Sequence, residues 1–297
     1  FKKAGIVDAK GEAKPPVTWD EVVEYAKKLT NTQEKTYGII LPFKWVDYVE
    51  WEILHPFIAS IGHSYFDHKT GRFDFKAFKP AAEWLMQIKA DKSYFPGPEA
   101  LDNDTARAQF SEGRIGMKLA ASWDVGVYND QFPAKIDWGV APIPVLDLNN
   151  RYKQYMSGPG FFEITNSAKD KNLEKVMEIY KWFNSDEFLA VMYEESKFIP
   201  YKSEIISMAK KQPDKKGWKE FSSMTEISYL FPQIPNVTIE GLDFKQTFMK
   251  MWMGEISVDE ALTDLDKRYN AALDKMVSEG KINIDEYKFN DFDIRLK

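Results

Sequence analysis

The stretch 110–124 constrains the fold more than any other part of this chain. A helical pattern stops at Gly113, and the short apolar run 115–117 that follows is typical of a buried strand. A loop then presents Trp123 directly before Asp124. The order of helix, strand and loop predicts a strand whose carboxyl end displays an indole ring beside a carboxylate.

Further start signals place helices along the chain. Thr18 followed by Glu21 is a capping box, and Ser257 followed by Glu260 is a second one. A short apolar run at 37–41 predicts a strand between helical segments. A chain of 297 residues that mixes these elements can bury a large core, and we expect two lobes.

Composition limits the function classes. The formal net charge of −6 argues against a nucleic-acid partner, because no basic stripe would attract phosphates. The chain has no cysteine, which excludes disulfides and thiolate metal sites, and it has no apolar run long enough to span a membrane. Aromatic residues make up 15% of the chain and include 9 Trp, which predicts a surface lined by rings.

An aromatic tract follows the first predicted strand. Trp45, Tyr48 and Trp51 are three residues apart, which predicts that their rings lie along one side of a helix. Such a stripe fits either a packed core or an aromatic wall for a ligand, and the sequence leaves both open.

No catalytic motif stands out. The histidines His55, His63 and His68 lack the spacing of a helical zinc site, and a GxSxG motif is absent. We therefore predict no catalytic residue, no metal and no cofactor. The alternative is a glycosidase that uses Asp124 and Glu240 as its two carboxylates, because the separation of such a pair is not visible in a sequence.

The order of motifs resembles one family. A TWDE helix start, the aromatic tract, FxxGRIGM, SWD, WGVAPIP, a Gly-rich loop, NSAKDKNLEKVMEIYKWFNSDEF and GEISVDEAL follow one another. This series is similar to the extracellular solute-binding proteins (family 1) of sugar ABC importers, which include the maltodextrin-binding protein. The resemblance covers essentially the whole chain.

The resemblance implies an α/β, periplasmic-binding-protein-like (type II) fold of two lobes around a hinge. It further implies that most of the N-terminal lobe precedes Phe1 and is missing here. Residues 1–163 are expected to form the first part of the C-terminal lobe, 164–212 a helical excursion into the N-terminal lobe, and 213–297 the hinge and the return.

The resemblance also assigns candidate residues. Trp123 matches a ring that stacks on a sugar, and Trp45 lies in a tract that contributes an aromatic ring. Gly241, beside Glu240, stands where the maltodextrin binder has a second stacking Trp, so another sugar or solute is possible.

The full set of predicted ligand contacts combines stacking rings, hydroxyl-binding carboxylates and a Gly-rich loop whose backbone allows close approach. These contacts are Trp45, Tyr48, Trp123, Asp124, Tyr155, Ser157, Gly158 and Glu240.

The expected partners are a carbohydrate, bound as the two lobes close, and the permease subunits of an ABC transporter. The resemblance places the protein outside the bacterial cytoplasm, in the periplasm or on the cell surface. Membrane attachment is expected only through a lipid anchor in the missing N-terminal part, and the protein is expected to be a monomer.

Overall fold

The computed structural model describes residues 1–45, 49–156, 164–170 and 172–296. The chain divides into two compact units. Unit 1 comprises Phe1–Leu119, Ala141–Met156 and Ile227–Lys297, and unit 2 comprises Ala120–Val140 and Ser157–Glu226. The predicted excursion 164–212 falls within the wider bounds of unit 2, and its assignment to a particular lobe stays a prediction.

Unit 1 combines helices with short strands. Its helices are α1 (Trp19–Leu29), α2 (His55–Ala59), α3 (Lys79–Asp91), α4 (Asn103–Ser111), α10 (Phe244–Met253) and α11 (Val258–Ser278). Its strands are β1 (Tyr37–Ile39), β2 (Phe66–Asp67), β3 (Arg72–Phe73), β4 (Ile115–Met117), β5 (Gln154–Met156) and β6 (Ser228–Leu230).

Unit 2 is helical in its described part. Its helices are α5 (Asp124–Gly126), α6 (Leu173–Phe183), α7 (Asp186–Glu194), α8 (Ser203–Ser207) and α9 (Trp218–Ser223). Val125, Tyr193 and Trp218 form its buried apolar cluster. By contrast, α6 is amphipathic but has no buried residue, and Trp182 on this helix is 56% exposed.

The helix starts follow the capping signals. The Thr18 hydroxyl accepts a hydrogen bond from the Glu21 N–H at 3.1 Å, which confirms the predicted N-cap of α1. The Glu21 carboxylate accepts from the N–H of Val17 at 2.7 Å. At α11, Ser257 and Glu260 make both reciprocal bonds of the predicted capping box.

The strands pair in twos. β1 pairs with β4 in parallel, with Tyr37 opposite Ile115, and β5 pairs with β6 in parallel, with Tyr155 opposite Tyr229. β2 and β3 form an antiparallel hairpin that turns at Gly71, which has a φ of +71°. Because β1 and β4 run in the same direction, the loops that follow them leave the same edge of the sheet.

Glycines let α1 lie directly on the β1–β4 pair. A Cβ on Gly38 would stand 2.1 Å from the carbonyl oxygen of Ala26 in α1, and a Cβ on Gly116 would stand 2.7 Å from Cδ1 of Leu29. Both distances are far below van der Waals contact, so the backbone of Ala26 and the side chain of Leu29 fill the space that a Cβ would need at these two positions.

Aromatic rings dominate the core of unit 1. Trp19 of α1 packs against Phe57 of α2 at 4.3 Å and against Trp84 of α3 at 4.9 Å between ring centroids. Trp252 of α10 is fully buried, and its indole N–H donates to Oε1 of Glu99 at 2.7 Å. Many of the aromatic residues thus belong to the core, and the exposed aromatic rings are exceptions to this pattern.

The aromatic tract differs from the expected helical stripe. Trp45 precedes the helical segment, which is a π-helix at Val49–Leu54. The backbone just before Trp45 bonds to a distant loop, because the N–H groups of Phe43 and Lys44 donate to the carbonyl oxygens of Pro98 and Leu101. The prediction that Trp45 belongs to one helix face was therefore wrong, and Tyr48 lies outside the described residues.

No helix in the described ranges combines the length and the apolar character needed to cross a bilayer.

The close approach at Gly38 generates a stability test. We expect Gly38→Ala to lower the free energy of unfolding of unit 1 by about 3 kcal/mol or more, because the new Cβ meets helix backbone that has little freedom to move. Gly126→Ala is the matched control, since a Cβ at Gly126 would have open space and the residue is helical. Urea unfolding of both variants measures the difference, and equal stability would contradict the close packing.

Candidate ligand-binding residues in the two units

The carboxyl ends of β1 and β4 are the natural place for a ligand in unit 1, because open α/β sheets bind ligands beyond this edge. The loop after β1 carries Trp45, whose ring is 47% exposed. The residue after β4 is Lys118, whose side chain is 1% exposed. One loop thus offers an accessible ring, and the other holds a buried cation.

Lys118 neutralises part of the acidic π-helix. Its Nζ donates to the carbonyl oxygen of Leu119 at 2.9 Å and lies 4.0 Å from Oε2 of Glu52. A cation buried to this degree needs such oxygen neighbours, because isolated charge is costly away from water. Neither Lys118 nor Glu52 was predicted as a site residue, although a Lys directly after an apolar strand can indicate a buried cation.

Glu50, on the same π-helix, is the centre of a second polar group. The hydroxyl of Tyr65 donates to Oε1 of Glu50 at 3.4 Å, and Nε2 of His55 lies 3.9 Å from the same oxygen. Burial raises the pKa of Glu50, and the negative charge of Asp243 adds to this, while the bond from Tyr65 opposes it. Glu50 therefore keeps its proton to a higher pH than a surface glutamate does.

His55 links this group to β5. Its ring centroid lies 5.1 Å from that of Tyr65 and 5.1 Å from that of Tyr155. Burial lowers the pKa of His55 to about 3, so the imidazole is neutral at physiological pH. Burial is also the largest cause that raises the pKa of the Tyr155 hydroxyl, followed by the Glu50 carboxylate.

The structure therefore brings the predicted residue Tyr155 together with Glu50, Tyr65 and His55, which were not predicted as site residues. These side chains lie on different elements of the chain, so no residue spacing in the sequence connects them, and Glu50 lies within the aromatic tract.

In unit 2, Trp123 and Asp124 differ in exposure. The ring of Trp123 is 52% exposed, whereas Asp124 is 1% exposed. The Asp124 carboxylate accepts a hydrogen bond from the Ala121 N–H at 3.4 Å, and the Asp124 N–H donates to the Ala121 carbonyl at 2.9 Å. Asp124 thus fixes the turn that carries Trp123, and its contact with a ligand stays a prediction.

Glu240 lies in an exposed loop of unit 1 next to Gly241, whose φ is +80°. Nη1 of Arg268, on α11, donates to the Glu240 carbonyl oxygen at 3.0 Å. This bond fixes the backbone of the loop and leaves the Glu240 carboxylate in solvent. Its role toward a ligand stays a prediction.

Tyr48, Ser157 and Gly158, which were predicted as ligand contacts, lie outside the described residues. Within the ranges that are described, no three His, Asp or Glu side chains converge as metal ligands would.

Comparison with known proteins places this architecture in a family. The family model for bacterial extracellular solute-binding proteins matches residues 1–188. The chain belongs to this family. The resemblance inferred from the order of sequence motifs is thereby confirmed.

The sequence identity to individual relatives is low. The chain is 28% identical over 247 residues to a maltotriose-binding protein of Pyrococcus abyssi, a match that covers 79% of this chain and 49% of the relative. The chain thus spans about half the length of that curated relative.

Solved structures share the fold. An ABC substrate-binding protein from Listeria monocytogenes in complex with cycloalternan superposes with a TM-score of 0.65 at 18% identity, covering 92% of this chain and 67% of that one. A maltose-bound protein of T. maritima gives a TM-score of 0.63 at 19% identity, covering 89% and 67%. The predicted α/β fold of the periplasmic binding proteins is confirmed by these neighbours.

The buried imidazole generates a pH test. His55 has a folded-state pKa of about 3, below its unfolded value near 6.5, so the unfolded state binds the proton more readily. Its contribution to stability is present above about pH 6.5 and is lost as the pH falls toward 3. Between pH 7 and pH 5 we expect a loss of about 2 kcal/mol from this group.

His55→Phe keeps a ring in contact with its neighbours but cannot titrate. Urea unfolding at both pH values should show a smaller loss on acidification for this variant than for the wild type. The raised pKa of Glu50 acts in the opposite direction in both proteins, since its burial costs less when it is protonated. Identical pH dependence in the two proteins would contradict a buried neutral His55.

Proposed function

We propose that this protein is the solute-binding component of an ABC importer and that it binds a carbohydrate and delivers it to a membrane permease. The observation that carries the proposal is the exposure of Trp123, 52% of whose surface is accessible in a turn held by Asp124. An indole held at the surface by a turn that a buried carboxylate fixes offers a ring face on which a ligand can stack.

The chemistry of a sugar matches what the two units offer. A sugar ring has apolar C–H faces, which stack on indole rings such as those of Trp45 and Trp123. Its hydroxyl groups need oxygen acceptors and hydroxyl donors, which Glu50 and Tyr65 supply in unit 1. A carboxyl group and a hydroxyl group in the same unit as an indole ring suit a polyol.

The relatives support the same class of ligand. Maltotriose appears in the name of the Pyrococcus protein, and cycloalternan and maltose are bound in the two solved neighbours. A structure from Agrobacterium vitis, with a TM-score of 0.56, contains D-mannitol. We propose an oligosaccharide as the ligand of this chain on the strength of these matches and of the exposed indoles of Trp45 and Trp123.

Membership of the family supports a proposal about the partner and the location. An extracellular solute-binding protein acts outside the cytoplasm, and we propose that the carbohydrate-loaded form docks on permease subunits in the bacterial membrane. Attachment through a lipid anchor and a monomeric state remain predictions from the sequence.

We propose binding without catalysis. The relatives are described as binding proteins. The glycosidase alternative requires that the carboxyl groups of both Asp124 and Glu240 reach the substrate, and the 1% exposure of Asp124 does not favour it. A chromogenic glycoside assay decides the matter, because a glycosidase would show turnover that Asp124→Asn abolishes.

The exposed indoles generate a binding test. We expect Trp123→Ala and Trp45→Ala each to weaken the affinity of the full-length protein for maltotriose by at least about fivefold, since each removes a stacking face. Trp182→Ala is the matched control, because Trp182 is an equally exposed Trp in unit 2 that lies on α6. Isothermal titration calorimetry gives the three dissociation constants.

An unchanged affinity in both test variants, with clear binding by the wild type, would contradict the assignment of these rings. If the wild type does not bind maltotriose, a thermal-shift screen of mono- and oligosaccharides follows. A protein that no carbohydrate in the screen stabilises would contradict the proposed ligand class.

A further inference from the structure

The turn that carries Trp123 continues into a very short helix. α5 comprises only Asp124–Gly126, and a π-helix at Val127–Gln131 follows it directly. A helix of one turn gains too little from its own hydrogen bonds to keep a fixed orientation. The direction in which this segment presents the Trp123 indole therefore depends on its contacts with more distant parts of unit 2.

Asn129, on this π-helix, makes such a contact. Its Nδ2 donates to the carbonyl oxygen of Val125 at 2.8 Å and to the carbonyl oxygen of Lys216 at 3.0 Å. A side-chain amide nitrogen has two protons, so one Asn can make both bonds at once. The first bond stays within the segment that follows Trp123, and the second reaches a loop 87 residues further along the chain. Asn129 thus ties the two segments together.

The loop that accepts the second bond is itself held in place. Gly217, directly after Lys216, has a φ of +88°, and a Cβ there would stand 2.7 Å from Cη2 of Trp138. Nζ of Lys216 lies 5.6 Å from the centroid of the same ring and pairs with the carboxylate of Asp137. The backbone of this loop therefore lies against the Trp138 ring, and the Lys216 carbonyl is a well-placed acceptor.

An apolar contact attaches α5 to the same region. Val125 is fully buried in the cluster that it forms with Tyr193 and Trp218. Trp218 is the first residue of α9 and follows the loop at Lys216 and Gly217 directly. One buried side chain and one bridging amide thus connect the short helix to the start of α9.

We propose that Asn129 is a positioning residue for the Trp123 indole. Its two bonds hold α5 to the loop at Lys216, and α5 in turn keeps the ring at the angle on which a sugar ring stacks. Asn129 acts through Trp123 and lies outside the contact with the sugar. This inference rests on the proposed function, in which Trp123 stacks on a carbohydrate.

A general stabilising role for Asn129 predicts a different pattern. An amide that only stabilises unit 2 would change the free energy of unfolding when it is removed. The order of the Trp123 ring, and the affinity of the protein that stays folded, would then be unchanged. Ring order and affinity therefore separate the two roles.

The first test needs no ligand. The ¹⁵N relaxation of each indole N–H in the labelled protein gives an order parameter for that ring, and Trp123→Phe assigns the Trp123 signal. We expect Asn129→Ala to lower the order parameter of the Trp123 indole by about 0.2 or more, which is the step from rigid to flexible. Trp182, a similarly exposed indole on α6 of the same unit, is the internal control and should not change.

The second test measures maltotriose binding by isothermal titration calorimetry. We expect Asn129→Ala to raise the dissociation constant by about threefold or more, because a mobile ring must be ordered when the ligand binds. In a protein that already carries Trp123→Ala, the same substitution should change the constant by less than about 1.5-fold, since no ring is left to position.

Asn184→Ala is the matched control for this titration. Nδ2 of Asn184 donates to the carbonyl oxygen of Tyr180, four residues earlier, at 2.8 Å. It resembles the bond from Asn129 to Val125 and lies in the same unit. Its loss should leave the dissociation constant of maltotriose within about 1.5-fold of the wild type.

Circular dichroism first shows that each variant is folded. If Asn129→Ala is not, Asn129→Ser, which keeps one hydroxyl donor, is used for both measurements, and smaller changes in the same direction are expected. An unchanged order parameter for Trp123 in a folded variant would overturn the proposal. So would a loss of affinity that is equally large with and without the Trp123 ring.

The two tests also separate this inference from the proposed function. A wild type that binds no carbohydrate, but whose Trp123 ring loses order when Asn129 is replaced, would contradict the proposed function and support the positioning role. A wild type that binds maltotriose with the same affinity as Asn129→Ala would contradict the positioning role alone.

Discussion

The close packing of α1 on the β1–β4 pair is the constraint on which the rest of unit 1 depends. Gly38 and Gly116 lie on adjacent strands, and neither has room for a Cβ beneath α1. The helix can approach the sheet only because both positions are glycine. That approach fixes β1 beside β4 and places the loops that follow them at one edge.

The candidate binding residues of unit 1 follow from this arrangement. The loop after β1 leads to Trp45 and the acidic π-helix, and the residue after β4 is the buried Lys118. Further along, Tyr155 on β5 contacts His55, which lies beside Glu50. Unit 1 thus contains both the accessible indole of Trp45 and the buried polar group around Glu50 and His55. Recognition of a polyol requires this combination of an apolar ring face and polar groups.

Burial gives the polar group its chemical character. His55 is neutral and Glu50 is less acidic than a surface glutamate, for the same reason, since both charged forms are disfavoured away from water. The neutral imidazole of His55 carries no full charge that would have to lose its water on ligand binding.

Much of the fold could be predicted from the sequence because its signals are local. The hydroxyl of Thr18 and the Ser257–Glu260 pair mark helix starts through bonds that span only three residues. Gly71 marks the hairpin for an equally local reason, its positive φ. The order of such elements was enough to indicate the family.

The site was less predictable because its determinants are not local. The exposure of Trp123 and the burial of its neighbour Asp124 depend on how unit 2 packs, which no spacing rule describes. Trp45 left the expected helix because its preceding backbone bonds to residues 98 and 101, more than fifty positions away. Glu50, Tyr65 and His55 meet only in the folded chain, so residue spacing alone could not group them.

The central claim is that the exposed indole of Trp123 exists to stack on a carbohydrate. A crystal structure of the full-length protein grown with maltotriose tests it most directly. The account predicts a sugar ring stacked on the Trp123 indole at van der Waals distance. A bound sugar with the Trp123 ring still in solvent would contradict it.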